Sequence, residues 1–418
     1  MKKLLTVAMI LLIASSLVFA RGGKATDDTV DMFHLSVEIK DALDAYAADY
    51  SARTGTKVAV ETLGGGGDYA GALKAKAQAD DMPDIFVIEG QGGYDIWKDY
   101  MYDLSNEPWV TDTDVAFVQD GKVFGFPKAI EGYGLAYNAE ILAKAGIDPA
   151  TLTTRQAYEE AFAKIDSMKE ALGLDAVVSM AASVSGGMWW VTANHNLSIY
   201  WGGNLDITDT DVVEKALAGE LDEERFEQYA KYLQLLFLYA DRNILTNGSY
   251  DEQVGSFVQG KTAFLHQGNW VDPSLAQLGV TFDIGYAPHA FLDEVQEGLF
   301  LFAPSWYCVN KYSENLEETL DFLNSIASTP EGHAYMATSA GMVPAFNSVS
   351  LEPEGQLSQE LVKANQKGGN YGVFFGMLPD GVGQNVFGPI FDLFAQDPTQ
   401  IDQFIADMKV AVANIPNM

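Results

Sequence analysis

Residues 56–90, TKVAVETLGGGGDYAGALKAKAQADDMPDIFVIEG, decide the fold. TKVAVET reads as a strand, the LGGGG run as a turn, and DYAGALKAKAQAD as a helix. Pro83 then leads into DIFVIEG, a short strand apolar enough to be buried on both faces. Upstream, an apolar stretch at 30–35 is followed by Ile39, Leu43, Tyr46 and Tyr50 at helical spacing, with Gly55 as the stop. The order β–α–β–α–β predicts a mostly parallel sheet covered by helices.

The remainder keeps helices and strands interleaved. Thr154 is placed to cap a helix carrying Tyr158, Phe162, Ile165 and Leu172, closed by Gly173. A second helix runs through Phe226, Tyr229, Leu233 and Leu236, and KTAFLHQ and WYCVN read as strands. Thr329-Pro330 has the form of an N-cap followed by proline, with Gly341 ending that helix. Ile401, Phe404, Ile405 and Met408 form one stripe of the last helix. The class is α/β.

The first twenty residues, MKKLLTVAMILLIASSLVFA, have the basic, apolar and small-residue sections of a secretory signal, with cleavage expected after Ala20. The apolar section is short for a membrane span, and without a cysteine near the cleavage site a lipid anchor is not expected. The whole chain carries a strong excess of acid: 58 acidic against 25 basic residues, a net charge of −33. Nucleic acid is therefore a poor partner, because phosphate contacts need Lys and Arg. The lone Cys308 rules out an intrachain disulfide, and its apolar setting in SWYCVN points to a buried, inert thiol.

Catalytic signatures are scarce. There is no G-x-S-x-G or H-E-x-x-H, and the five histidines are scattered without zinc-ligand spacing. GGGGDY lacks the Lys-Ser/Thr of a nucleotide loop. Asp68 reads equally as a helix cap and as part of a backbone that approaches a ligand closely. Acidic residues abound, so a carboxylate pair for glycoside hydrolysis is possible by count, but nothing singles one out.

A constellation of aromatic and amide groups does stand out. SGGMWWVTANHN places Trp189 and Trp190 beside Thr192, Asn194, His195 and Asn196. HQGNW repeats the theme with Gln267, Asn269 and Trp270, followed by Trp306 and by Tyr371 in GGNYGVFFG. Indole faces match the C–H faces of a pyranose, while amides, carboxylates and imidazoles take its hydroxyls; ligand sites combine such apolar walls with a few placed polar groups. Adjacent residues on one element point apart, so one of Trp189 and Trp190 is expected to pack inward.

At these residues the chain resembles the carbohydrate-type extracellular solute-binding proteins of ABC importers, the family of the maltodextrin-binding proteins. The resemblance covers nearly the whole mature chain: GGGGDYAGALKAKAQADDMPDIFVIEG, YDLSNEPWV, GKVFGFPKAIEGYGLAYNAEILAKAGI, GKTAFLHQGNW and NKYSENLEETLDFLNSIASTPEGHAYM…GMVPAF occur in order. It implies a two-lobed periplasmic-binding-protein fold with hinge crossovers near 131–132, 302–303 and 341–342, and a ligand cleft between the lobes. The expected division is a signal peptide at 1–20, an N-terminal lobe of 21–132 plus 303–342, and a C-terminal lobe of 133–302 plus 343–418.

By the same resemblance Glu131 faces the cleft, with a role as buried acceptor for backbone N–H groups as the alternative. Trp270 stacks on a sugar ring, and Gln267 or Asn269 bonds hydroxyls. Gly65, Gly66, Asp68, Tyr69 and Glu89 line the other lobe, and Trp306 sits beside a crossover. The implied protein is a periplasmic monomer, not an enzyme. It would need no cofactor, and its partners would be a carbohydrate ligand and the ABC permease. A secreted glycoside hydrolase, or the same scaffold with a non-sugar ligand, is the competing reading.

Overall fold

The computed structural model describes residues 29–418 apart from Gly66. The expected export segment 1–20 and the Gly66 contact lie outside the described residues. The fold is α/β and two-lobed. The first lobe is built on a six-stranded sheet ordered β2-β1-β3-β12-β5-β4, with β1 Thr29–His34, β2 Lys57–Thr62, β3 Ile85–Ile88, β4 Phe117–Gln119, β5 Lys122–Pro127 and β12 Trp306–Val309. β1 runs parallel to both β2 and β3, joined through the helices Lys40–Thr54 and Tyr69–Gln78. All four residues of β3 are buried, as its apolar run requires. Gly55, at φ 88°, ends the first helix.

The parallel expectation holds only for that half. β12 runs antiparallel to β3 and β5, and β4 antiparallel to β5. The reason is topological: β12 enters the sheet on return from the second lobe, with no crossover helix to enforce parallel pairing. Its side chains alternate between the two faces of the sheet. Tyr307 and Val309 join the core that contains Leu43, Tyr46 and Phe322, whereas Cys308 joins the one with Phe33, Phe86 and Trp97. Cys308 is fully buried, and burial pushes its thiol well up.

The second lobe holds a four-stranded sheet ordered β10-β7-β9-β8, with β7 Leu135–Asn138, β8 Val178–Ser179, β9 Phe264–Leu265 and β10 Ile284–Ala287. Helices wrap it around one large aromatic core. Thr154 caps the helix Arg155–Ser167 by accepting from the Ala157 N–H, and the stripe Phe226, Tyr229, Leu233 and Leu236 is buried.

Between the sheets, β6 Glu131–Tyr133 pairs antiparallel with β11 Phe300–Phe302, and Ile130 bridges Val343. The segments that pass between the lobes thus lie side by side. Among the described residues three π-helical turns occur, at Val191–Asn196, Tyr335–Ser339 and Gly383–Phe387. Each contains or directly precedes residues that border the space between the lobes, in keeping with the frequent placement of π-turns at functional sites.

Candidate ligand-binding cleft

A cavity of about 220 Å³ opens between the lobes, continuous with a side chamber of about 100 Å³. The second lobe supplies its aromatic wall. Trp189, Trp190, Trp270, Phe375 and His195 all line it, and the His195 ring lies 4.6 Å from Trp270, 5.3 Å from Trp190 and 5.5 Å from Phe375, centroid to centroid. The Trp270 indole is fixed by its N–H, which donates to Gln267 Oε1 at 2.9 Å, and Gln267 in turn donates to Gln253 Oε1. Burial, aided by His266, depresses the His195 imidazole to about 3, so at neutral pH it is an uncharged hydrogen-bonding group.

The first lobe supplies a polar wall. The Gly64–Gly67 turn passes so close to β1 that a Cβ on Gly64 would lie 1.7 Å from the Leu35 carbonyl oxygen, and Gly65 has φ 61°; both positions need glycine. Asp68 borders the cavity while capping the helix Tyr69–Gln78 through the Gly71 N–H at 2.9 Å. Glu89, at the end of β3, projects into the cleft. Solvent reaches it, yet surrounding protein and the carboxylates of Asp380 and Glu131 push its pKa up to about 7 against the pull of Lys128. Glu131 borders the cavity too, paired with Lys128 at 2.9 Å. Lys128 also donates to Ser36 Oγ at 2.7 Å.

Several expected contacts fall elsewhere. Both indoles of the Trp189-Trp190 pair reach the cavity: at the start of a helical run two side chains this wide span the angle between neighbouring positions. Of the polar run that follows, only Asn194 and His195 line it. Asn196 is fully buried, accepting from the Tyr229 hydroxyl and facing His266. His266 and His289 are bonded at 3.0 Å, and His289 to Tyr232 at 2.8 Å, so the run continues into the core as a closed polar network.

Gln267 is buried behind Trp270 and holds it rather than a ligand. Tyr371 is buried beside β11, its hydroxyl accepting from the Gly298 N–H. Trp306 shares Cys308's side of the sheet, donates to the Val115 carbonyl at 2.7 Å and stays off the cavity. Tyr69 lines the cavity with its ring, but its hydroxyl donates to the Phe33 carbonyl and accepts from the Val87 N–H. Asn269 borders the cavity with its amide spent on the Gly132 N–H and Ser358 Oγ.

Ser36, Glu38, Lys128, Phe375, Asp380 and Gln384 line the cavity as well, and sequence reasoning did not single them out. Only Lys128 carried a signal, a cation three positions before Glu131 in PKAIEG. Among the described residues no cluster of three or more His, Cys, Asp or Glu side chains is placed to hold a metal ion, and no helix is long and apolar enough to cross a membrane.

The family model of the bacterial extracellular solute-binding proteins matches residues 45–366. The melibiose/raffinose/stachyose-binding protein MelE of Bacillus subtilis (strain 168) is 23% identical over 302 residues, 69% of this chain and 67% of that protein. Among solved structures, a Bacillus licheniformis sugar transporter in complex with stachyose aligns with a TM-score of 0.73 at 21% identity, over 93% of this chain and all of that one. RafE in complex with raffinose aligns with a TM-score of 0.74 at 16% identity, over 93% and 99% of the two chains. This chain belongs to the bacterial extracellular solute-binding protein family.

Proposed function

We propose that this protein is the substrate-binding receptor of an ABC importer, which captures a mono- or oligosaccharide between its lobes and hands it unchanged to a membrane permease. The carrying observation is the facing of two unlike walls: indoles and an uncharged imidazole from one lobe, carboxylates and a glycine turn from the other. Trp189, Trp190 and Trp270 would stack on ring faces; Glu89, Glu131, Asp68, His195 and the Gly65 backbone would take hydroxyls. The names of MelE and of the stachyose and raffinose complexes support a saccharide of this kind.

The chain would divide as 21–132 plus 303–342 and 133–302 plus 343–418, hinged at the β6/β11 pair and the Ile130–Val343 bridge. Export by residues 1–20 would place it as a soluble monomer in the periplasm. The test is a thermal-shift screen of the mature chain against mono-, di- and oligosaccharides, polyols and short peptides, since native-state binding raises the melting temperature. A shift confined to saccharides, recovered intact, supports the receptor. Shortened products would point to a hydrolase, and silence across the saccharides would sink the reading.

A further inference from the structure

One corner of the cleft brings two acids and two aromatic side chains together. Glu89 and Asp380, from opposite lobes, line both the cavity and its side chamber, and so do the rings of Trp189 and Phe375. Among the described residues Glu89 has no hydrogen-bond or ion-pair partner. The nearby cation, Lys128, is already held by Glu131 and Ser36. Asp380 is met only at the rim, by Lys74 at 3.3 Å, with both side chains a third or more exposed; such surface pairs are weak. Among the described residues no arginine lines the cavity, and the one histidine that does, His195, is uncharged at neutral pH.

We infer that the ligand carries a protonated amine, as in an amino sugar, and that this group sits between Glu89 and Asp380 against the faces of Trp189 and Phe375. This rests on the saccharide reading above and names the kind of saccharide. Two carboxylates on opposing lobes repel as the cleft shuts, and a cation between them turns that repulsion into a bridge. Aromatic faces at the same corner attract a cation through their negative π-faces. The elevated Glu89 pKa fits an acid awaiting a counter-ion: an arriving ammonium would hold Glu89 ionised and expel the proton that it carries when empty.

The test is calorimetry on the mature chain at pH 6.5 with two matched sets: galactosamine, N-acetylgalactosamine and galactose, then de-N-acetylated chitobiose, N,N′-diacetylchitobiose and cellobiose. The free amine is expected to bind at least tenfold tighter than its neutral counterparts in a set, and to release a proton visible as a buffer-dependent enthalpy. Glu89→Gln and Asp380→Asn should each collapse that preference. A neutral member binding as tightly as its amine overturns the inference and leaves the saccharide receptor standing. An amine preference that survives both substitutions also overturns it. Binding by no member of either set, with no saccharide response in the wider screen, removes both.

Discussion

Lys128 and Glu131 form an ion pair of 2.9 Å at the root of the cleft, with only 6% and 12% of their side chains exposed. Lys128 also reaches Ser36 beyond β1, while Glu131 begins the strand that crosses to the second lobe. The pair therefore joins sheet, hinge and cavity at one point. Removing one partner of a buried pair leaves a charge uncompensated and costs about 3–5 kcal/mol. Lys128→Met is expected to lose stability on that scale in urea unfolding, and Lys128→Met/Glu131→Gln to recover much of it. Additive losses in the double mutant would show that the two charges do not compensate each other.

Trp270 offers the cleanest separation of binding from folding. Its indole is only partly buried and faces the cavity, so Trp270→Ala should cost less stability than the 3–5 kcal/mol or so of a buried aromatic truncation. Binding should weaken by about 2 kcal/mol or more, as for an interface anchor. Gln267→Leu tests the support: it frees the indole and strands Gln253 Oε1, with an expected stability loss of about 1–3 kcal/mol. Unchanged saccharide affinity in Trp270→Ala would remove this indole from the site.

The contrast between these residues shows what sequence could and could not convey. Helical stripes and caps, such as Leu43-Tyr46-Tyr50 and Thr154, were legible because period and cap chemistry are local. So was the aromatic-amide character of HQGNW. Which of its amides borders the cavity was not, because Gln267 turns inward to hold the Trp270 N–H while the 3₁₀ turn Asn269–Val271 carries the indole to the cavity. Asn196 misled for a related reason: a π-turn shifts the helical phase, sending Asn194 and His195 to the cavity and Asn196 to the core. Asp380 and Phe375 lay in a stretch with no periodicity, a single 3₁₀ turn at Phe375–Met377 and the loop after it, and reach the cavity because that stretch packs across the lobes.

Glu89 makes stability depend on pH in a defined direction. Its carboxyl ionises at an ordinary 4.5 in the unfolded chain but is pushed up to about 7 in the fold. The folded state then holds the proton more tightly, so this contribution is full below pH 4.5 and is lost as the pH rises to 7. Glu89→Gln carries no such penalty. Relative to the parent, its ligand-free melting temperature should gain progressively between pH 4.5 and 7 and level off above. A parallel pair of curves would place Glu89 in ordinary solvation.

At Gly92 the two lobes meet backbone to backbone. It lies in the short helix Gln91–Trp97, where a Cβ would stand 2.7 Å from the Asp380 nitrogen and 2.8 Å from the Leu378 carbonyl oxygen of the opposite lobe. Within the first lobe alanine favours the helix, by up to about 1 kcal/mol over glycine. Against the second lobe it overpacks, a cost of about 1–3 kcal/mol that falls only on the closed form. Gly92→Ala should therefore leave the ligand-free melting temperature equal or higher. It should weaken ligand binding between about fivefold and a hundredfold, and enlarge the radius of gyration measured by X-ray scattering with ligand present. A variant that binds and closes like the parent would show that the Leu378–Asp380 loop yields freely, and that the approach of the two lobes at this rim contributes nothing to capture.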